Sequence, residues 1–336
     1  MKKDIVSFGE LLLRLNAPSG ELLLQSGRLN VHVGGAEANV AVALALLGHQ
    51  AAMVSRVPAN PLGDAAIGHL RRYGVATENV SRGLGRMGLY FATAGDGARP
   101  SSIVYDRDGS SFALANSEDF AWDHLLLGAK LLHLSGITPA LGDRSAEIAL
   151  AAARAASAAG ARVSFDGNYR RQLWDKRGGD PRAVLSQLVA RADIFFGNHQ
   201  DIALLLGMEF DSVGEVRREQ AAQAALQAFP NLQLIASTSR NIDAAGQHHL
   251  AARIDTRDGS AQTEEVVLSS VTDRIGAGDA FAAGVLHGVL GNRDIEESVR
   301  IGLALACLKH GLPGDASLFA QADIDAFLAG ERDVRR

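Results

Sequence analysis

The chain has 336 residues, enough for one large domain or two ordinary ones. Apolar residues make up 47% and charged residues 21%, and 33 Lys and Arg against 38 Asp and Glu give a net charge of −5. Those proportions exclude a disordered or fibrous chain, and the mild acidity leaves no electrostatic footprint for nucleic acid or an anionic membrane surface.

Asp4–Leu15 is strand-like with Gly9-Glu10 inside it; residues 16–20 are turn material, and Leu22–Val33 reads as further short strands ending at Gly34-Gly35. Ala38–Leu47 is apolar on nearly every side and reads as a buried helix. Ala51–Val57 follows as a strand and Leu62–Tyr73 as a helix. Met87–Thr93 and Ser102–Arg107 are strands around a turn at 94–98. From Lys130 onward strands and helices alternate. Leu131–Ser135 leads to an Ala-rich helix at Ser145–Ala159, and Arg162–Asp166 to a helix near Pro181–Ala190. Asp193–Gly197 leads through Ile202–Leu206 to a helix at Gln220–Phe229; then come Leu232–Thr238 and a meander between Gln247 and Leu268. Two helices close the chain, Ala280–Leu290 and Ile295–Lys309.

Alternation of this kind predicts a mainly parallel sheet covered by helices on both faces. The early strands lack intervening helices, so residues 11–34 and 85–113 are expected as a small β-sheet at one edge. The α/β core then comprises residues 1–10, 35–84 and 114–330. Cys307 stands alone, which rules out an intrachain disulfide or a CxxC pair, and its apolar neighbours Leu303, Leu305, Ala306 and Leu308 place it on a buried helix. No stretch approaches the ~18 uninterrupted apolar residues of a membrane span. The expectation is a cytoplasmic protein with neither membrane nor nucleic acid as partner.

Several chemistries drop out. None of the five lysines follows a glycine, so there is no GxxxxGK[ST] phosphate loop. HRD, HExxH and GxSxG patterns are also missing. His248-His249 has no further His or Cys at ligand spacing and reads as part of a solvated strand or loop.

Two stretches carry a positive signal. In Asp273-Arg-Ile-Gly276-Ala277-Gly278-Asp279, glycines open a small-residue helix. Unpartnered N–H groups at such a helix start, with the helix dipole behind them, suit a phosphate. Asp279 has two readings there: an ordinary carboxylate at a helix N-terminus, or a base that accepts a hydroxyl proton beside a bound phosphate. In Gly34-Gly35-Ala-Glu37-Ala-Asn39, glycines precede the buried helix, and Glu37 and Asn39 set polar groups at its mouth, as a polar ligand would need.

Together these two stretches, in this order and at this spacing, resemble the ribokinase-like (PfkB) carbohydrate kinase family over essentially the whole chain. The resemblance implies a Rossmann-like three-layer α/β core with a mainly parallel sheet and a β-sheet lid. It also implies transfer of the γ-phosphate of ATP, with Mg²⁺, to a sugar hydroxyl. Asp279 would be the base, and Gly276, Ala277 and Gly278 the anion hole. Gly85–Phe91, Arg99-Pro-Ser101, Tyr105-Asp-Arg107 and Phe165-Asp-Gly-Asn168-Tyr-Arg170 further resemble 2-keto-3-deoxygluconate kinases, whose substrate is a sugar acid phosphorylated at C6. Tyr105 and Arg107 are two apart on a strand and face one side, where Arg107 can grip a carboxylate and Tyr105 donate to it; the plain alternative is a surface cross-strand Arg.

By matching position the resemblance assigns Gly34, Gly35, Asn39, Tyr90, Tyr105, Arg107, Ile137, Arg170, Asp279 and Asp315 to the substrate. Asn168, Asn198, Ser237, Arg240, Gly276 and Gly278 fall to the nucleotide. Asn198-His-Gln-Asp201 stands where the family has Asn-x-x-Glu, so Asp201 would act on Mg²⁺ indirectly. Arg240, in Ser237-Thr-Ser-Arg240, would replace a family lysine beside the phosphates. Asp273-Arg274 replaces the usual Asp-Thr, which leaves a monovalent-cation site open. Alternatives are a kinase for a neutral sugar such as fructose or ribose, and a non-catalytic sugar-binding regulator. The lid sheet has edges and a face that need cover, so a homodimer or higher homo-oligomer through the lid is expected.

Overall fold

Strands that are apolar on both faces require helices on both, and the central strands here are of that kind. The computed structural model describes residues 3–95 and 99–331. The chain opens with β1 (Lys3–Phe8), β2 (Leu12–Asn16), β3 (Asn30–Gly34), α1 (Ala36–Leu46), β4 (Ala51–Pro58) and α2 (Pro61–Arg72). Next come β5 (Val80–Gly83), β6 (Gly88–Thr93), β7 (Ser102–Asp106), α3 (Trp122–Leu125), β8 (Ala129–Ser135) and α4 (Asp143–Ala158). The middle runs β9 (Arg162–Asp166), α5 (Arg171–Arg177), α6 (Pro181–Val189), β10 (Ile194–Phe196), α7 (His199–Leu206) and α8 (Gly214–Ala228). It ends with β11 (Leu234–Ile242), β12 (His248–Thr256), β13 (Ser260–Gln262), β14 (Val266–Leu268), α9 (Ala277–Leu290), α10 (Ile295–His310) and α11 (Gln321–Leu328).

The large sheet has the order β13-β12-β11-β10-β9-β8-β1-β4-β5, with β14 also on β12. It is parallel from β11 through β5 and antiparallel at the β12 end. Alternate residues feed two cores. Ile5, Met53, Leu131, Ile194 and Phe196 pack toward α1, α9 and α10, whereas Val6, Phe8, Val54, Leu132 and Phe195 pack toward α4, α6 and α8. Each fully buried Val, Leu, Ile or Phe contributes about 1.5–3 kcal/mol, so the two layers carry the fold. This is the three-layer ribokinase-like architecture that the resemblance implies.

A second sheet, β3-β2-β6-β7, forms the lid. Its register puts Leu12, Arg14, His32, Gly34, Tyr90 and Tyr105 on one face and Leu15, Val31, Phe91 and Val104 on the other.

Several sequence expectations are corrected. The single strand over Asp4–Leu15 divides at Gly9 into β1 and β2, which join different sheets. The chain must pass over Glu37 there: a Cβ on Gly9 would lie 2.1 Å from Glu37 Oε2. Of Leu22–Val33 only the end is strand, because Leu22 and Leu24 lie exposed in turns without sheet partners. Ile202–Leu206 belongs to helix α7, which Asn198 caps. Leu232–Thr238 extends to Ile242 because β12 folds back along it. Short α3, α5, α11 and β5 went unanticipated, so the chain closes on three helices. The turn at 94–98 runs into residues 96–98, which lie outside the described residues. Cys307 is buried, and burial pushes its thiol up to about 12, the mark of an inert side chain. Among the described residues no helix is long and apolar enough to cross a membrane.

Candidate active site

Two helix starts converge beside the lid. Gly276, the N-cap of α9, has φ +80°, and a Cβ there would lie 1.7 Å from the carbonyl oxygen of Asp315, so only glycine fits. The amides of Gly276, Gly278 and Asp279 have no backbone partner among the described residues, while Ala277 N–H donates to Arg274 O at 3.2 Å. Of the amides expected to hold an anion over 276–278, those of Gly276 and Gly278 are thus without a backbone partner, with Asp279 N–H beside them, and Ala277 N–H is engaged elsewhere. Asp279 follows in the first turn, and its Oδ2 accepts Asn39 Nδ2–H at 2.6 Å from the first turn of α1. Burial pushes the Asp279 carboxyl up to about 7, against the opposing pull of the Asn39 hydrogen bond and Arg170.

The lid is fastened to this corner by a residue that sequence reasoning missed. Arg14 of β2 is 1% exposed. Its Nη1 donates to Asp273 Oδ1 at 3.2 Å, and its Nε lies 3.0 Å from Asp315 Oδ1. Tyr90 donates its hydroxyl to Asp315 Oδ2 at 2.6 Å, and Gly314 N–H donates to Asp273 Oδ2 at 3.1 Å. A Cβ on Gly34 would fall 2.3 Å from Asp315 Oδ2, so glycine lets the carboxylate approach the strand. Burial pushes Asp273 up, but Arg14's hydrogen bond and charge outweigh it and hold the carboxyl below the usual range. At Asp315 burial wins over Arg14 and Tyr90, and the carboxyl is raised. The available signal was the alternation Leu11-Leu12-Leu13-Arg14-Leu15, which turns a lone arginine inward with Leu12.

The other expected residues divide. Tyr105 pairs with Tyr90 across β6 and β7 on the inner lid face, and Ile137 packs at the edge of the second core. Arg107 is buried, but its Nε donates to Glu10 Oε2 at 2.5 Å, which leaves only part of the guanidinium fork for a ligand; its Nη1 has no partner. Arg170 is exposed, caps α5, and acts electrostatically on Asp166, Asp201 and Asp279. Gly35 caps α1 with φ +144°. Glu37 points inward to Ser135 Oγ (2.8 Å) and Thr138 Oγ1 (3.0 Å), and burial pushes it up to about 7.

Among the residues expected at the nucleotide, Asn168 N–H donates to Asp166 Oδ1 at 3.0 Å. Burial, Asp279 and Asp201 push Asp166 up to about 7, which adds it to the site; its signal was its place two residues before Asn168. Asn198 Oδ1 accepts Gln200 N–H at 2.7 Å, and Asp201 Oδ2 accepts Asn198 N–H at 2.8 Å, so both side chains cap α7. Ser237 is buried on β11, and Arg240 further along it is lowered by burial and by neighbouring Arg274.

Asp166, Asp201 and Asp279 form an acidic group that Arg170 alone only partly offsets, which suits a divalent cation. No three such groups among the described residues can ligate a metal directly. Mg²⁺ therefore fits here as an ion held mainly by substrate phosphates and water. A free monovalent cation fits poorly at Asp273, whose carboxylate is taken by Arg14 and Gly314 and whose carbonyl accepts from Lys309 Nζ.

The model of the pfkB family carbohydrate kinases matches residues 2–319, and the chain belongs to that family. It is 29% identical over 98% of its length to 2-dehydro-3-deoxygalactonokinase of Haloferax volcanii, covering 98% of that protein. It is 27% identical over its full length to 2-dehydro-3-deoxygluconokinase of Bacillus subtilis, again covering 98%. The crystal structure of 2-dehydro-3-deoxygluconokinase from Thermotoga maritima superposes with a TM-score of 0.92 at 34% identity, over 98% of this chain and 100% of that one. The chain is accordingly a phosphotransferase acting on a carbohydrate alcohol.

Arg14→Met tests the lid fastening. It leaves Asp273 and Asp315 buried without their cation, a loss of about 3–5 kcal/mol. Denaturant unfolding should show this deficit at neutral pH and a smaller one in acid, where both carboxylates can take up protons. Stability within 1 kcal/mol of wild type at neutral pH, about the median for an exposed pair, would mean the bridge does not hold the lid.

Proposed function

We propose that the chain is an ATP-dependent sugar-acid kinase, working in the cytoplasm, that phosphorylates the C6 hydroxyl of 2-keto-3-deoxygluconate to give 2-keto-3-deoxy-6-phosphogluconate. The observation that carries the reading is the Asp279 carboxylate, held at 2.6 Å by Asn39 beside unpartnered α9 amides and raised by burial to about 7. Similarity to sugar-acid kinases and the arginines at the lid side support an acid over a neutral sugar.

The sugar lies under the lid face that bears Gly34, Tyr90 and Tyr105, with Asp315 and Ile137 beside it. Its carboxylate meets the unpartnered Nη1 of Arg107 and the guanidinium of Arg170. Asp279 accepts the C6 hydroxyl proton as that oxygen bonds to the γ-phosphorus. The bond to the ADP oxygen breaks and its electron pair leaves with ADP. The Gly276, Gly278 and Asp279 amides hold the oxygens on which charge develops. Asn168, Asn198, Ser237 and Arg240 line the nucleotide side. Asp201 and Asp166 would hold, through water, an Mg²⁺ that came with ATP, and that ion would supply positive charge against the triphosphate.

Asp279→Asn should lower kcat by roughly 10²–10⁴-fold with ATP binding nearly unchanged. In wild type, kcat/KM for the sugar should fall as pH drops through about 7, where the Asp279–Asp166 pair takes up a proton. An Asn variant with near-wild-type turnover removes the base assignment.

Arg170 is exposed, so replacing it spares the fold. Arg170→Met should raise KM for sugar acids roughly ten- to hundredfold, the worth of a charge-assisted hydrogen bond of about 1.5–3 kcal/mol, while neutral sugars lose only what Arg170's pull on the Asp279 carboxyl contributes to both kinds of substrate. ADP release measured over a panel of both kinds of sugar reads this directly. Faster turnover of fructose or ribose than of any sugar acid would reverse the substrate assignment.

The outer lid face carries exposed Val31 and Val104 beside half-buried Leu15 and Phe91, which supports a homodimer joined lid to lid. Light scattering should give a dimer for wild type and a monomer for Val104→Arg; a wild-type monomer at micromolar concentration excludes it.

A further inference from the structure

Lysine is almost never fully buried without a paired carboxylate. Lys309, in the last turn of α10, is 0% exposed, yet its ammonium donates to two main-chain carbonyls: Leu312 O at 2.8 Å and Asp273 O at 3.4 Å. The carboxylate that acts on it most strongly, Asp273, is already engaged by Arg14 and the Gly314 amide. Burial pushes Lys309 down, and Asp273, Asp315 and Asp279 support its charge against Arg14.

Both carbonyls belong to the turns that hold the site. Asp273 lies three residues before Gly276, the cap of α9; Leu312 lies three before Asp315, whose own carbonyl sits against Gly276. Thr272 and Asp273 N–H both donate to His310 O, at 2.8 and 3.1 Å, which brings the two turns side by side. The ammonium is the charge between them. A lysine that merely complemented a helix C-terminus would point to solvent past its own last carbonyls; this one reaches across to the other turn.

We propose that Lys309 is a positioning residue whose ammonium takes the place of a bound monovalent cation, fixing the Asp273–Gly276 turn against the Leu312–Asp315 turn. The α9 amides and Asp279 keep their places because that charge is tethered. The role rests on reading the α9 start as the phosphoryl end of the site, but it does not require Asp279 to be the base. Ammonium and potassium ions are close in size, and carbonyl oxygens that accept from the one can ligate the other. Turnover and melting temperature of the wild type should therefore be indifferent to K⁺ or NH₄⁺ in place of Na⁺.

Lys309→Ala leaves a carbonyl-lined hole of the size of the lost group. In Na⁺ its kcat should fall by roughly ten- to a hundredfold, the scale of an ångström-sized misplacement. At equal ionic strength NH₄⁺ or K⁺ should raise that rate severalfold and also raise the variant's melting temperature, while Li⁺ does neither. Lys309→Met, which fills the hole without the charge, should be impaired and unresponsive. A folded Lys309→Ala with near-wild-type turnover overturns the proposal. So does an impaired one that no cation improves, or a wild type stimulated by K⁺. If alanine prevents folding, Lys309→Arg must retain more turnover than Lys309→Met, and equal loss overturns the proposal. An active Asp279→Asn enzyme together with cation rescue of Lys309→Ala would strike only the base assignment.

Discussion

A guanidinium taken out of water must be paired, and the arrangement of the site follows from how Arg14 is paired with two carboxylates. It reaches from the lid to Asp273 and Asp315, which stand on separate core turns. Asp315 in turn fills the space that side chains at 34 and 276 would need, its carboxylate against Gly34 and its carbonyl against Gly276. The inner lid strand and the start of α9 are therefore positioned by one ion-pair network. Removing a single member leaves an uncompensated buried charge, so the network stands or fails together. Gly34 owes its identity to that crowding alone, whereas Gly276 answers both the crowding and a left-handed backbone at φ +80°.

The same network sorts the carboxylates of the site. Arg14 outweighs burial at Asp273, which stays ionised and holds the turns. Asp279 and Asp166 lack such a partner; burial dominates and brings both to about 7. Neighbouring carboxylates in unlike surroundings thus separate into a structural anion and groups poised near neutrality, where accepting a proton is useful. Arg170 opposes the shift from an exposed position, and water screens it.

What was legible in the sequence was what is local. Glycines before a helix start, a helix apolar on all sides and strands apolar on both faces announce themselves within a dozen residues. The α9 start, the buried α1 and the layered core could therefore be read directly. Arg14 and Asp273 are 259 residues apart, and no periodicity links them. Lys309 looked like an ordinary basic residue at a helix end, because its partners are carbonyls, and carbonyls leave no trace in residue identity. Arg107 was read as free because its partner Glu10 lies 97 residues away, inside what reads as one continuous strand. Short α5 and α11 escaped for another reason: seven or eight residues offer too little periodicity to separate helix from loop.

Net charge says little about such a pocket. A chain at −5 has no global attraction for an anionic sugar or a triphosphate. Its cations are instead placed singly: Arg107 on the lid side, Arg170 beside the acidic group, and Arg240 and Arg274 beside one another. Asp166, Asp201 and Asp279 sit among them, and their raised affinity for protons is the cost of grouping carboxylates without enough fixed positive charge. Had Arg170 been buried against them, as Arg14 is against Asp273, that cost would vanish and so would the capacity to take a proton near neutral pH. A site that, as proposed, binds two anions and also moves a proton cannot neutralise all its carboxylates internally. On that reading part of the compensating positive charge would come as the divalent cation that accompanies the nucleotide, which would tie the ionisation of Asp279 to occupancy of the site.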